Sequence, residues 1–374
     1  MSIGLFLFVI ITVILTVIAS IIIVKKNIYI PTFSGAIAVA FGIMINGAFQ
    51  QDYFLKRLIG PYAVYLLVSL LIIIVLSNLN ELRSKKYYLN HHFSDEIHTF
   101  AAGTYVIAFF TVTLSIVKEL RNILILAYVL FIAGCIIYLL YLFISVKNYK
   151  AIWQENYSKK ILMYNLNGVI LLVSVATSYV VIDGSLLIGK FFIGSADYVL
   201  LILSSLFYIA GLYMIIRNYI KYKYKIIDNW KLGNVIIHGA LSTFGLACII
   251  AGFSSNITGF IWIAALILFI VVEIYEVVFL IKRIQYFGVN KGVLVYSTNQ
   301  WARNFTFGMF LAFSIMFKIK DSVYYKINPL DFIYNLIFSY GKYIVIVFFI
   351  VELIIFAHYN INKLNKLKIY DGVD

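Results

Sequence analysis

The clearest chemical pattern in the sequence is a stripe of one arginine and several phenylalanines near the C-terminus. Within the segment WARNFTFGMFLAFSIMF, five residues follow the spacing of one helix face, namely Arg303, Phe307, Phe310, Ser314 and Phe317. An arginine can hold a carboxylate or another oxyanion through two parallel hydrogen bonds, and rings behind it can close a narrow passage by excluding water. The stripe therefore predicts an anion contact at Arg303 and a pore gate at Phe307 or Phe310. The alternatives are an arginine that reaches for the membrane interface and phenylalanines that face lipid or core.

Three carboxylates lie within apolar stretches, where an ionisable group is itself a sign of function. Glu273 and Glu276 are three residues apart and share a helix face, and Glu352 lies in the last apolar stretch. One interpretation is that they titrate and couple transport to protons. Because they belong to longer, bulkier stretches, pairing with cations between repeats or subunits is the favoured interpretation.

Enzyme and metal motifs are absent from the sequence. Cys135 and Cys248 both fall inside apolar stretches, so neither a disulfide framework nor a zinc site is expected. The sequence has no Gly-rich phosphate loop, nucleophile elbow or metal-ligand spacing. We therefore predict no metal, no cofactor and no enzymatic activity.

The composition indicates the environment in which these residues act. Of the 374 residues, 63% are apolar and 12% are charged, which excludes an ordinary soluble domain. The formal net charge is +14, but the basic residues lie in short clusters between apolar stretches, so a nucleic-acid-binding patch is excluded. Stretches of about 20 residues are long enough to cross a bilayer as helix. We predict eleven such spans, at roughly 3–24, 28–48, 61–80, 99–117, 123–146, 164–186, 197–216, 235–253, 257–281, 302–317 and 332–358.

The distribution of basic residues predicts the orientation in the membrane. The segments that follow the odd-numbered spans hold 21 of the 30 Lys and Arg residues, which makes that side cytoplasmic by the positive-inside rule. The C-terminus is then cytoplasmic and the N-terminus outside, in the plasma membrane of a cell that the Ile-, Lys-, Asn- and Tyr-rich composition suggests is bacterial. The first span could be a cleaved signal, but its charges, Lys25 and Lys26, follow the apolar stretch, which favours a retained helix.

After the first span, the remaining ten form five pairs of similar length. Each pair begins with a small-residue segment around one glycine, and the intervals between these glycines are 68, 65, 71 and 69 residues. We interpret this pattern as five tandem helical hairpins; evenly spaced loops without a repeat are the alternative. The predicted domains are an extra helix at 1–27, hairpins at 28–90, 91–160, 161–231, 232–298 and 299–366, and a tail at 367–374. The helix-turn glycines are Gly35, Gly103, Gly168, Gly239 and Gly308.

The two helices of each pair differ in kind. The first is rich in small residues and the second is longer and bulkier, which favours first helices inside and second helices against lipid. Repeats of two helices all enter the membrane from the same side. The predicted fold is therefore an all-α polytopic membrane protein with five hairpins in a pseudo-fivefold ring around a central pore, plus one N-terminal transmembrane helix.

The N-termini of the five inner helices would meet at the cytoplasmic mouth of such a pore. Helix N-termini attract anions, because their free N–H groups and the helix dipole carry partial positive charge. For the two histidines expected there, packing in the core is the favoured interpretation. Besides Arg303, the residues expected at the mouth are Ser34, His98, Asn167, His238 and Asn304.

The five hairpins, together with NVIIHGALSTFG opening the fourth and QWARNFTFGMF opening the fifth, make residues 28–366 resemble the tellurite-resistance/dicarboxylate transporter family. That family includes bacterial TehA and the plant slow-type guard-cell anion channels. The resemblance implies ten helices with pseudo-fivefold symmetry, a pore blocked by a phenylalanine of the ninth family helix, and assembly as a homotrimer. The sequence departs from the family in its extra N-terminal span and in lacking prolines in the middle of the first helices. If such kinks shape the pore, its width differs here.

These observations leave three functions open. The first is a gated anion channel or passive exporter for small inorganic or carboxylate anions. The second is a proton-coupled carrier of C4-dicarboxylate, sulfite or tellurite, in which Glu273, Glu276 or Glu352 titrates. The third is an intramembrane transferase for lipid-linked substrates, with His238 and Arg303 as catalytic groups. The partners expected are the anions, the lipid bilayer and further copies of the chain, and nucleic acid is not among them.

Overall fold

A computed structural model describes residues 3–83, 88, 92–93, 96–154, 166–189, 194–221 and 230–370. Of the described residues, 90% are helical and none lies in a strand. The described residues do not include two of the predicted hairpin boundaries, 90/91 and 160/161. They also do not include the last part of the predicted tail, 371–374.

Eleven long helices account for the eleven predicted spans. Ten helices in the described part of the chain are long and apolar enough to cross a membrane, so the protein is an all-helical polytopic membrane protein. The tenth helix in chain order, which has 16 residues, is not among these ten. The helices are α1 Ile3–Lys26, α2 Gly35–Asn46, α3 Gly60–Leu82, α4 Gly103–Glu119, α5 Leu124–Trp153, α6 Leu172–Ile188, α7 Ser195–Lys221, α8 Ile236–Ile250, α9 Ser255–Gly292, α10 Trp301–Met316 and α11 Asn328–Tyr370.

Burial divides the helices into two sets, as their residue types predict. Between 78% and 94% of the residues in the most apolar part of α2, α4, α6 and α8 are buried, and 12 of the 16 residues of α10 are buried. The corresponding fraction for the other helices is 17% to 33%. Bulky apolar side chains on these other helices face outward, where lipid would cover them. We call α2, α4, α6, α8 and α10 the inner helices, and α3, α5, α7, α9 and α11 the outer helices.

The inner helices contact one another in chain order. Helix α2 packs against α4, α4 against α6, α6 against α8 and α8 against α10, and α10 packs back against α2. Each outer helix packs against the inner helix that precedes it. Helix α1 packs against α3. The core of the protein is therefore made by the first helices of the five pairs.

The repeat glycines lie where successive inner helices come closest. A methyl group at Gly35 would be 2.5 Å from the carbonyl carbon of Thr104, and one at Gly308 would be 2.8 Å from the Ile43 side chain. Because glycine has no side chain, the backbones can approach to this distance. The prediction that these glycines shape turns is incomplete, since each of them also contacts the following repeat. The other three contacts are Gly103 with Leu172, Gly168 with Gly233, and Gly239 with Thr306.

Candidate functional site

A cavity of about 630 Å³ opens at the N-terminal end of the inner helices, and we call it the large cavity. Two cations line it, Lys231 before α8 and Arg283 on α9. The described residues that line it include no carboxylate. The remaining polar side chains of its wall are His98, Asn167, Thr298 and Asn299.

Two of the residues predicted for the pore mouth, His98 and Asn167, lie in this wall. His98 forms a hydrogen bond of 2.9 Å with Thr32 Oγ1. The side chain of Asn167 accepts a hydrogen bond of 3.0 Å from the N–H of Val169 and so caps the turn that leads into α6. Ser34 is also at this end, buried immediately before α2. These residues are positioned by the starts of three different inner helices.

A much smaller apolar cavity lies at the same end between all five inner helices, and we call it the narrow cavity. Its volume is about 10 Å³, which is room for about one water molecule. Phe33 lines both cavities, so the large cavity adjoins the narrow one. A hydrated ion therefore cannot pass this level in the present conformation. The lining residues are Phe33, Ala36, Val39, Thr104, Ile107, Leu172, Ile236, Ala302 and Phe305.

Further along the inner helices, the interior is closed by a contact between α6 and α10. The hydroxyl of Tyr179 donates to Met309 Sδ over 3.4 Å, and both side chains are fully buried. These two helices are not neighbours in the contact order of the inner helices. The Tyr179–Met309 contact therefore reaches across the interior that the inner helices surround.

Arg303 does not face the narrow cavity, contrary to the prediction for the pore mouth. Its Nη2 donates to Glu273 Oε2 on α9 over 2.7 Å. Its guanidinium carbon lies 6.0 Å from the ring centroid of Phe307 and 5.7 Å from that of Phe348 on α11. Arg303 is thus held between two outer helices by a carboxylate and two aromatic rings.

The rest of the predicted stripe shares the face of Arg303 and also meets α9. Phe307 and Phe310 each have their ring centroid 5.0 Å from that of Phe269, and Trp262 donates to Ser314 Oγ over 2.8 Å. These contacts place the stripe on one face of α10, the face that meets α9. The assignment of Phe307 and Phe310 to a pore gate does not fit their position, because the side of α10 that lines the narrow cavity carries Ala302 and Phe305 instead.

Two of the three predicted carboxylates line a side cavity of about 190 Å³ between α9, α10 and α11, and the third, Glu273, is bonded to Arg303 in its wall. Glu276 and Glu352 line it together with Arg303 and Asn304, and Glu276 accepts a 2.5 Å hydrogen bond from Trp230 Nε1. Arg283 lines both this cavity and the large one. The interpretation of Glu273 as an inter-repeat ion pair agrees with its bond to Arg303, because α9 belongs to the fourth hairpin and α10 to the fifth.

His238 is the most buried of the predicted site residues. Its side chain has no exposed surface, its ring packs edge-on against Phe269 at 5.0 Å, and its Nε2 lies 4.0 Å from Glu273 Oε1. This position agrees with the packing interpretation rather than with a place at the mouth. A reactant in the large cavity could not contact this ring without movement of α9 or α10.

The sequence analysis missed a charged pair at the opposite, C-terminal end of the inner helices. Asp183 on α6 is 1% exposed, and neither of its carboxylate oxygens has a hydrogen-bond partner within the described part of the chain. Lys118, at the end of α4, donates to the backbone oxygen of Asn46 over 3.0 Å. The sequence alone could have pointed to Asp183, because it is the single charged residue of α6.

No known protein family, curated protein or solved structure matches this chain. The resemblance to the tellurite-resistance/dicarboxylate transporter family therefore stays a prediction, and the function is argued from the cavities and their residues.

Proposed function

We propose that this protein moves small anions across the membrane through a passage at the centre of the five inner helices, as a gated channel or passive exporter. In this proposal the five hairpins form a pseudo-fivefold ring with the passage on its axis. The contact order of the inner helices, which returns from α10 to α2, supports this arrangement.

The observation that carries the proposal is the large cavity and the constriction next to it. The large cavity presents Lys231 and Arg283, and the five inner helices begin around it. Each helix N-terminus adds about half a positive charge. An electropositive cavity concentrates anions and repels cations, and it leads directly to the narrow apolar cavity through Phe33. Such a constriction gates a pore by excluding water.

In the proposed closed state, two layers of side chains block the passage. The first layer is the wall of the narrow cavity, in which Phe33 and Phe305 are the largest side chains. The second is the contact of Tyr179 with Met309. Rotation of these side chains, or a small separation of the inner helices, would open the passage.

Conductance of purified protein in planar bilayers tests the proposal, with chloride, nitrate and succinate as probe anions. We expect Phe305→Ala to raise the conductance by about tenfold, which corresponds to a barrier lowered by about 1.4 kcal/mol. Phe310→Ala is the matched control, because it removes the same side chain from the same helix on the side that faces α9. Equal conductance of the wild type and Phe305→Ala, with both proteins folded, would contradict the gate. Absence of anion conductance or flux in both would contradict the function.

The remaining elements of the proposal come from charge distribution and resemblance. They are location in the plasma membrane of a bacterium, an outside N-terminus and a cytoplasmic C-terminus, homotrimer assembly, and membership of the tellurite-resistance/dicarboxylate transporter family. Under this orientation the large cavity opens to the cytoplasm, where it would collect the anions for export.

A proton-coupled carrier is the second candidate, and a specific observation favours it. The interior contains a carboxylate, Asp183, that the described residues leave without a hydrogen bond. Glu276 and Glu352 line the side cavity, and Glu273 is bonded to Arg303; none of the three lines the narrow cavity, so a coupling function for them has less support. The transferase alternative gains no support from His238, which is fully buried.

A further inference from the structure

Asp183 lies on the face of α6 that borders the proposed passage. It follows Leu172 by eleven residues and Tyr179 by four, which places the three on one helix face. Leu172 lines the narrow cavity, and Tyr179 reaches Met309 across the interior. Asp183 therefore continues the same wall towards the C-terminal end of the inner helices.

Lys118 on α4 and Asn46 on α2 lie on the corresponding faces of the two preceding inner helices, with Asn46 about one turn nearer the constriction. Lys118 follows Ile107 by eleven residues on α4, and Asn46 follows Val39 by seven on α2. Ile107 and Val39 both line the narrow cavity. Lys118 donates to the Asn46 backbone oxygen, and the Asn46 side chain donates to Ser115 Oγ over 2.9 Å. Three inner helices thus bring an ammonium, an amide and a carboxylate to the wall beyond the constriction.

The two charges lie on neighbouring inner helices, and Asp183 forms no hydrogen bond with Lys118 or with any other described group. Burial of an ionised carboxylate without hydrogen bonds costs several kcal/mol. A side chain in such a position lowers this cost by binding a proton or by pairing with a cation. Asp183 has its acceptor positions vacant for one or the other.

Of the neighbouring titratable groups, the two carboxylates already accept hydrogen bonds, the thiol and the phenol are ordinarily neutral, and Lys56 adds a second positive charge. Asp197 on α7 accepts a hydrogen bond of 3.2 Å from Ser185, and Glu119 on α4 accepts one of 2.5 Å from Gln50. Thiols and phenols carry no charge near neutral pH. The groups that face the pair are Lys56, Glu119, Cys135, Tyr179 and Asp197.

We propose that Asp183 and Lys118 form a proton-linked anion-binding site on the far side of the constriction. A proton from the medium adds to one oxygen of Asp183, forms an O–H bond and neutralises the carboxylate. The ammonium of Lys118 then attracts an anion of the transported class without competition. When the proton leaves, the restored carboxylate competes for Lys118 and expels the anion. One proton and one negative charge bind and leave together, so the buried site gains no net charge.

This inference rests on the proposed function and adds proton coupling to it. The test uses full-length protein in liposomes of phosphatidylethanolamine and phosphatidylglycerol that contain a pH-sensitive dye. An inward gradient of succinate, sulfite or chloride is applied with equal pH on both sides. We expect wild-type vesicles to take up the anion and to acidify inside.

Two substitutions and one control separate the functions of the charges. Asp183→Asn should transport the anion without acidification, because an amide binds no proton in this pH range. Lys118→Gln should lower anion uptake by about tenfold, the loss expected when one charged contact is removed. Asp197→Asn, which removes a carboxylate that is bonded to Ser185, should transport and acidify like the wild type.

The outcomes distinguish failure of this inference from failure of the proposed function. Anion uptake without acidification in the wild type, or acidification by Asp183→Asn at the wild-type level, would overturn the proton-linked site and leave passive anion movement intact. Wild-type vesicles that take up none of the three anions would overturn both.

Discussion

Two carboxylates in the long helices of this protein have opposite surroundings. Glu273 belongs to an outer helix and points at α10, where Arg303 donates to it at 2.7 Å and His238 lies 4.0 Å away. Asp183 belongs to an inner helix, and its oxygens accept no hydrogen bond from any described group. Glu273 connects two hairpins through its bond to Arg303. Burial of Asp183 adds a cost in free energy that packing does not explain. Because of this difference, we assign a transport function to Asp183 and a structural one to Glu273.

The largest effect should follow from the substitution Arg303→Met. It leaves Glu273 buried without its cation, and breaking a buried pair costs about 3–5 kcal/mol. Because the Arg303 and Glu273 side chains are 26% and 17% exposed, we expect the free energy of unfolding to fall by the smaller amount of about 2–3 kcal/mol. Reversible unfolding of the purified protein in mixed micelles measures it. An unfolding free energy equal to that of the wild type would show that Glu273 needs no partner.

The double variant Arg303→Met with Glu273→Met sharpens this result. Since it removes both charges, it should be more stable than Arg303→Met alone, with a coupling energy of roughly 1–3 kcal/mol between the two sites. The same unfolding measurement on all four proteins gives the coupling energy. Additive effects of the two substitutions would mean that their contact contributes nothing.

Matched amide substitutions compare the two carboxylates directly. Glu273→Gln weakens a charged hydrogen bond and should lower the free energy of unfolding by about 1–2 kcal/mol. Asp183→Asn removes a charge that has no hydrogen bond, so the free energy of unfolding should stay constant or rise by up to about 1 kcal/mol. The comparison fails if Asp183→Asn destabilises the protein as much as Glu273→Gln does.

A smaller effect is expected for the charges of the large cavity. Arg283→Gln should reduce the preference for anions over cations by about fivefold or less, because a solvent-accessible charge contributes at most about 1 kcal/mol. Reversal potentials under a salt gradient measure this preference. Lys282→Gln is the control, since the substitution removes a neighbouring charge on the same helix that does not line the large cavity among the described residues. Equal changes in the two variants would indicate a general surface-charge effect.

The smallest effect concerns Asp52, in the turn between α2 and α3. The N–H of Leu55 and the ammonium of Lys342 hold the pKa of Asp52 below its ordinary value. A carboxyl with a lowered pKa in the folded state stabilises the protein above its unfolded-state pKa, and this contribution disappears as the pH falls through the folded-state pKa. We expect Asp52→Asn to remove a small part of the acid dependence of unfolding that the wild type shows. Parallel acid titrations of thermal unfolding provide the measurement.

Much of the fold could be predicted from residue types alone. Spans are set by the length of apolar stretches, and the small residues of every second stretch distinguish the inner helices from the outer ones. The ends were predicted less well: α9 covers 38 residues, with a non-helical break at Gly288, and α11 has 43 residues, so both extend well beyond their apolar parts. Hydropathy detects the part that lipid would cover, and a helix can continue past it into water.

The candidate site could be predicted only in part, because spacing does not specify direction. The stripe from Arg303 to Phe317 occupies a single helix face, as its spacing predicts, yet that face meets α9. Which face of α10 points inward depends on the close contact of Gly308 with Ile43, a feature of packing between distant repeats. Asp183 was visible in the sequence, but only the structure shows that its oxygens lack partners.

The contact between Gly308 and Ile43 also has a consequence for biosynthesis. Gly308 belongs to the last hairpin to leave the ribosome and Ile43 to the first, and a membrane protein is inserted from its N-terminus. Until the last hairpin arrives, α2 has one side without its native neighbour, and the interior of the protein is open to lipid. The final hairpin must then insert between partners that are already in place, which makes this closing step the slowest in assembly. We expect chains that stop before Trp301 to reach the membrane and to be degraded there.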